Sequence, residues 1–179
     1  LVGTSARLDL FSPSVSIGGT AVVDNAAFYV YGGTSLMPRV EVMGDCLLTN
    51  SAKLYFYAGF TNGIAPEYGG YLGVTGTLRI TSSGVLYPYS VSSNGGSVYI
   101  EAGDVVVASG AQIDASGKGH QGQAGGRGIG PGAGNFQGGG GYGGAGGKAS
   151  GSYGQPYGSV SGPPQCGSSG GAEQAAGNR

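Results

Sequence analysis

The sequence predicts an all-β fold: a parallel β-helix, or solenoid, continued by a glycine-rich extended segment that packs along it or is partly irregular. Three observations carry this expectation. Four segments repeat one pattern: GTAVVDNAAFYVY from Gly19, GDCLLTNSAKLYF from Gly44, GTLRITSSGVLYP from Gly76 and GDVVVASGAQIDAS from Gly103. The intervals between them vary, from roughly 25 to 32 residues, as in a stack of coils whose loops differ in length. Glycine, 42 of the 179 residues, crowds the part of the chain after Ala115, where the apolar pattern stops. Residues 1–116 are therefore read as solenoid coils and 117–179 as a glycine-rich segment continuous with them.

Within one copy, position three (Ala21, Cys46, Leu78, Val105) and position five (Val23, Leu48, Ile80, Val107) share one face of a strand. Positions seven and eight are Asn25-Ala26, Asn50-Ser51, Ser82-Ser83 and Ser109-Gly110, residue types that suit a turn. Position nine is small, and position eleven (Tyr29, Leu54, Leu86, Ile113) is expected to resume the core on a second strand. A third strand lies upstream of each glycine, marked by Val15 and Ile17, Val40 and Val42, Leu72 and Val74, and Val98 and Ile100. The last pair stands one residue further from its glycine, so a bulge is expected there. A single coil cannot bury such a pattern alone and needs the next coil stacked on it.

Taken in order, Ala6–Leu10 alternates as a short strand before the Ser12-Pro13 turn. Residues 32–39 and 90–96 read as loops. Residues 58–71 form a longer excursion with Phe60, Tyr68 and Tyr71, projecting from one edge of the stack. Those three aromatics, with Tyr87 and Tyr89 at the end of the third copy, are the predicted interface residues. After Ser116 the aromatics Phe136, Tyr142, Tyr153 and Tyr157 recur among glycines stiffened by Pro131, Pro156, Pro163 and Pro164. Side-chain-free strands of this kind can lie close against another backbone.

Composition narrows the function. Charged residues make up 9% of the chain and the net charge is −1, against a nucleic-acid partner. No run of about 18 apolar residues suggests a membrane span. The sequence offers no catalytic, cofactor-binding or metal-binding set, and an enzyme is not expected. Its one histidine, His120, sits in GKGHQG and reads as an exposed loop residue. Gly126–Gly132 resembles a phosphate-binding loop only superficially, because neither the strand nor the helix of that motif flanks it. A β-helix carbohydrate lyase or hydrolase would need convergent acids. Asp45 and Asp104 occupy equivalent corners, but Thr20 and Thr77 hold the same position in the other copies, and a corner aspartate commonly bonds backbone. Lys53 and Arg79 face outward by phase. Cys46 falls at an inward position and reads as a small buried residue. Cys166 is the candidate for a disulfide or an inter-chain link. The chain neither starts with Met nor closes with a polar cap, so it is expected to be a segment of a longer polypeptide or a protomer capped by neighbours.

One further reading rests on resemblance. GGSVYIEAGDVVVASGAQIDASGKGHQGQAGG (95–126), then GGGGYGGAGGKASGSYGQPYGS (138–159) and PPQCGSSGG (163–171), resembles the glycine-rich β-solenoid regions of very large secreted or surface proteins. The pattern is similar to that of the mastigoneme-type, sexually-induced-protein-like family, which builds flagellar hairs, and more loosely to filamentous-haemagglutinin-like β-helices. The usual terminal glycine triplet is weakened here to Cys166-Gly167-Ser168-Ser169-Gly170-Gly171. The resemblance implies an extracellular or cell-surface location and a structural or adhesive role, and it supplies no catalytic residues. The expectation is a self-assembling building block of a filament, flagellar hair or surface layer. Its partners would be copies of itself or other segments of the same long chain. The alternative is an adhesin stalk or glycan-binding module, with exposed tyrosines stacking on sugars.

Overall fold

The computed structural model describes residues 2–122, 126–148, 150–159 and 165–172, and only the backbone at residues 4 and 5. Pro163, Pro164 and the chain's last seven residues, which entered the expectations above, lie outside the described residues. The protein is all-β, with ten strands and no helix among those residues. None of its elements is a helix long and apolar enough to cross a membrane. The strands are β1 (Val2–Leu10), β2 (Ser14–Ile17), β3 (Ala21–Tyr31), β4 (Arg39–Val42), β5 (Cys46–Thr49), β6 (Lys53–Tyr57), β7 (Gly70–Ile80), β8 (Val85–Tyr89), β9 (Val98–Val107) and β10 (Gln112–Ile113). They form one open sheet, and every strand pairing in it is parallel.

The pairings fall into three ladders. The first runs β2–β4–β7–β9 and places Val15 beside Val40 and Leu72, and Ile17 beside Val42 and Val74. The second runs β3–β5–β7–β9 and aligns Ala21, Cys46, Leu78 and Val105, then Val23, Leu48, Ile80 and Val107. The third runs β1–β3–β6–β8–β10 and aligns Phe28, Leu54, Leu86 and Ile113. The long strands β3, β7 and β9 each take part in two ladders, which makes the sheet continuous. The repeat read from the sequence is thus a register of parallel pairing. Leu48, Leu78, Ile80, Leu86, Val30 and Phe56 are fully buried between equivalents from neighbouring copies.

The corners explain which residues stand there. Gly44 donates its N–H to Gly19 O (3.2 Å), and Gly76 donates to Gly44 O (3.1 Å). Backbones stacked this closely exclude a side chain: a Cβ on Gly76 would collide with Asp45 Oδ1 and crowd the Gly44 backbone. At the opposite corner the left-handed region is used by Asn50 and Ser51 (φ 53° and 64°) and by Ser82 and Ser83 (φ 48° and 61°). Asn and Ser tolerate that region better than apolar residues do. Ser51 N–H donates to Ser82 O at 2.8 Å, and Asn50 Nδ2 donates to Asp24 Oδ1 at 2.8 Å, tying corner to corner.

Two details of register differ from expectation. In the first copy only Asn25 is left-handed (φ 48°), so that corner is one residue shorter. Ala26 then takes the buried small position equivalent to Ala52, and Phe28, not Tyr29, pairs with Leu54. Tyr29 faces outward. Near the fourth copy, Gly70, Leu72 and Val74 pair with Val98, Ile100 and Ala102. The register shift lies between Val74 and Thr77, so the extra residue belongs to β7 rather than to β9.

The described glycine-rich residues are irregular but hydrogen-bonded. Gly141 N–H donates to Gly132 O (2.8 Å), Gly154 N–H to Gly139 O (2.9 Å) and Gly171 N–H to Gly138 O (2.8 Å). The segments approach so closely that a Cβ on Gly154 would collide with the Gly132 carbonyl. Backbone here packs on backbone within the segment itself rather than along the strands. The segment docks beside the 90–97 loop, where Ser90 N–H donates to Lys118 O at 3.1 Å.

Candidate functional site

Outward positions of the third ladder alternate with its core positions. Tyr29 and Tyr31 flank buried Val30, Tyr55 and Tyr57 flank buried Phe56, and Tyr87 and Tyr89 flank Pro88. Parallel pairing without a register shift puts Tyr29 beside Tyr55 and Tyr87, and Tyr31 beside Tyr57 and Tyr89. Adjacent strands lie about 4.8 Å apart, which suits ring stacking. The result is two tyrosine columns. In one, ring centroids are 4.5 Å apart (Tyr29–Tyr55) and 4.9 Å apart (Tyr55–Tyr87). In the other they are 5.3 Å apart (Tyr31–Tyr57) and 4.4 Å apart (Tyr57–Tyr89). All four pairs are stacked, with interplanar angles from 1° to 22°.

The columns are closed at both ends by other chemistry. Phe11 stacks on Tyr31 at 4.6 Å, and the Arg7 guanidinium lies 4.1 Å from the centre of the Tyr29 ring. Arg7 is held there by an ion pair to Asp9 (2.7 Å) and a hydrogen bond to Tyr31 Oη (3.1 Å). The hydrogen bond from Arg7 keeps the Asp9 carboxyl below the usual carboxylate range. At the other end Lys118 Nζ sits 4.5 Å from the Tyr89 centroid and 5.6 Å from that of Tyr87, each a cation–π contact. Burial and then neighbouring phenols push Tyr55 up to about 12, and burial raises Tyr57 as well. The faces of the inner rings are covered by one another, so the array presents ring edges and phenol groups to solvent. A sugar stacking on a tyrosine face would find those faces occupied.

A second cluster joins Tyr68, Tyr71 and Tyr99, with centroids 5.5 to 6.3 Å apart. Arg39 lies 4.0 Å over Tyr71 and pairs with Glu41 at 2.7 Å, while Tyr71 Oη donates to Glu101 at 2.9 Å. Gly73 stands in register between Glu41 and Glu101. The Tyr71 ring lies across it, where a Cβ would collide, and a groove of about 300 Å³ beside it is lined by those carboxylates and Tyr71.

Of the predicted interface residues, the structure therefore brings Tyr87 and Tyr89 into the array, and Tyr68 and Tyr71 into the second cluster. Phe60 stands apart in its loop, 41% exposed. Tyr29, Tyr31, Tyr55 and Tyr57 were missed. The signal was legible in the recurring Tyr-x-Tyr of three copies, but a misplaced Tyr29 hid it.

His120 is not an exposed loop residue. It is half-buried, its ring Nδ1 lies 3.0 Å from Ser92 O, which pins the glycine-rich segment to the 90–97 loop, and its backbone N–H donates to Gly167 O at 3.0 Å. Cys166 is part of this junction, half-buried with its Sγ 3.7 Å from Gly95 O. Both cysteines are free thiols. Burial raises both, Cys46 to about 11. Asp45 Oδ1 accepts the Thr77 N–H at 2.8 Å, a backbone bond at a corner. In the Gly126–Gly132 loop, Ile129 N–H donates to Ser169 Oγ (2.7 Å) and Gly132 N–H to Ser168 Oγ (2.9 Å), so amides that could cradle a phosphate are already bound. Among the described residues no three or more His, Cys, Asp or Glu gather to hold a metal ion.

Compared with protein-family models, curated proteins and solved structures, the chain gives no match.

Proposed function

We propose that the three ladders are the faces of a parallel β-helix and that its role is mechanical: a structural unit of an extracellular filament, flagellar hair or surface layer. The observation that carries this reading is the fate of the apolar columns. Leu78, Ile80 and Leu86 are fully buried, whereas their equivalents one copy later, Val105, Val107 and Ile113, are 47%, 42% and 40% exposed. Among the described residues no further strand pairs on the outer edge of β9 and β10, and its apolar surface is uncovered. Open strand edges of this kind pair with another chain. A second copy, presenting its β1 edge with Leu8 46% exposed at the head of the column that ends in Ile113, would continue the stack head to tail, a contact that does not close and so builds a fibre. The low net charge reduces repulsion between copies. The resemblance of residues 95–171 to surface-protein solenoids points the same way.

The test is cryo-electron microscopy of the concentrated chain beside a Val107→Asp variant. The expected result is fibres with an axial repeat built from steps of about 4.8 Å, lost in the variant while its circular dichroism stays unchanged. Monodisperse particles for the unsubstituted chain, or fibres that persist in Val107→Asp, would overturn the reading.

A further inference from the structure

We infer that the two tyrosine columns are an oxidative cross-linking site, at which neighbouring turns are joined by carbon–carbon bonds between tyrosine rings. This does not rest on the filament reading. The substrate is the chain itself, and the co-reactant is hydrogen peroxide delivered through an external haem peroxidase. One electron and the phenolic proton leave each of two adjacent rings. The two tyrosyl radicals couple at the carbons ortho to oxygen. The hydrogens on those carbons then return to the two phenol oxygens, restoring both aromatic rings. Two hydrogen atoms are lost per link and convert one peroxide into two waters.

The geometry favours this chemistry over that of an ordinary surface tyrosine. Each inner ring is stacked on a partner with centroids 4.4 to 5.3 Å apart and planes within 22° of parallel, so neighbouring rings are already side by side. Holding two reactants in such an arrangement replaces a diffusive encounter between scarce radicals. The rings are half-buried, with edges toward solvent, so an oxidant reaches them without unfolding. The column ends direct the coupling inward. Phe11, Arg7 and Lys118 cover the outermost rings, and none of the three forms a ring-coupled phenol product. Links therefore form between turns of one chain, Tyr29 to Tyr55 to Tyr87 and Tyr31 to Tyr57 to Tyr89. Each would bridge residues 26 or 32 positions apart, as a disulfide does in chains that carry paired cysteines.

The experiment oxidises the dilute full chain with peroxidase and peroxide, then digests it with trypsin. Cleavage separates Tyr29 and Tyr31 (peptide 8–39), Tyr55 and Tyr57 (peptide 54–79), and Tyr87 and Tyr89 (peptide 80–118). The expected result is blue bityrosine fluorescence on monomeric chain, and a covalent 8–39/54–79 pair lighter by two hydrogens than its parts. Its yield should be roughly tenfold above that of the chain oxidised in urea. The Tyr55→Phe, Tyr57→Phe double variant keeps the stacked rings but should lose the 8–39/54–79 pair. Absence of that pair from the folded chain, an equal yield in urea, or its persistence in the double variant would each overturn the proposal.

Discussion

Leu48 and Val107 occupy the same column of the second ladder, two copies apart, and their truncation should have very different consequences. Leu48 is fully buried between Val23 and Ile80, and Val107 is 42% exposed on the outer copy. Leu48→Ala removes three carbon groups from a closed environment. At about 0.8 kcal/mol each the transfer loss is ~2.4 kcal/mol. The cavity left between two stacked neighbours adds to this, giving about 3–5 kcal/mol. Val107→Ala removes two groups from a site a little over half covered and leaves no closed cavity, so ~1 kcal/mol is expected. The assay is urea unfolding of dilute monomer, followed by circular dichroism. Repeat the pair under conditions where the chain associates, and the Val107→Ala penalty should rise toward that of an inner copy, because a second copy would then cover the site. If the two substitutions cost the same in dilute monomer, the stacked-column reasoning fails. A Leu48→Ala cost below about 1 kcal/mol would refute the burial on which it rests.

Other consequences are more local. Ser83→Gly relieves a left-handed serine (φ 61°) and should raise stability by up to ~1 kcal/mol, read from the urea midpoint, whereas Ser83→Val should lower it. Stability should decline in alkali. Cys46 and Tyr55 have folded values raised by burial to about 11 and about 12, from 9.0 and 10.0, so their contribution is complete below pH 9 and fades as pH climbs through those values. Cys46→Val should remove the part of the decline between pH 9 and 11 in pH-dependent urea melts. Tyr57→Ala loses two stacked partners, at about 0.5–1.5 kcal/mol each, while Tyr57→Phe should cost well under 1 kcal/mol. His120→Ala should leave the urea midpoint nearly unchanged but speed amide exchange of the 90–97 loop and trypsin cleavage after Lys118.

Much of the strand pairing was legible because parallel stacking copies one residue pattern onto the next. Ala21, Cys46, Leu78 and Val105 could be aligned by eye, and the structure pairs them. The errors came where the chain changes length at a corner. Asn25-Ala26 was equated with Asn50-Ser51, yet alanine has no side-chain bond to offset the left-handed region, and this was the available sign that the first corner uses one residue. A two-residue corner there would turn Tyr29 inward and conceal the column it begins. The bulge at Thr75-Gly76 was misplaced for a related reason: an extra residue shows in sequence as a changed interval, which does not say which of two paired strands carries it.

The glycine-rich segment was opaque for a different reason. Without side chains its pairing leaves no apolar phase to read, and the contacts that fix it are backbone to backbone, as between Gly141 and Gly132. Only its anchors have side chains, and those were judged singly. His120 alone in a polar run reads as solvated; beside Ser92, Gly95 and Cys166 it fastens the segment to the 90–97 loop. Lys118, unremarked in the sequence, lies across the ends of both tyrosine columns. The same few residues thus end the ring columns and begin the glycine-rich packing, while the apolar columns beside them remain uncovered at Val105, Val107 and Ile113. A second copy proposed to dock on this edge would meet two different surfaces, an apolar one at Val105, Val107 and Ile113 and a cationic one, Lys118, that already covers the aromatic rings.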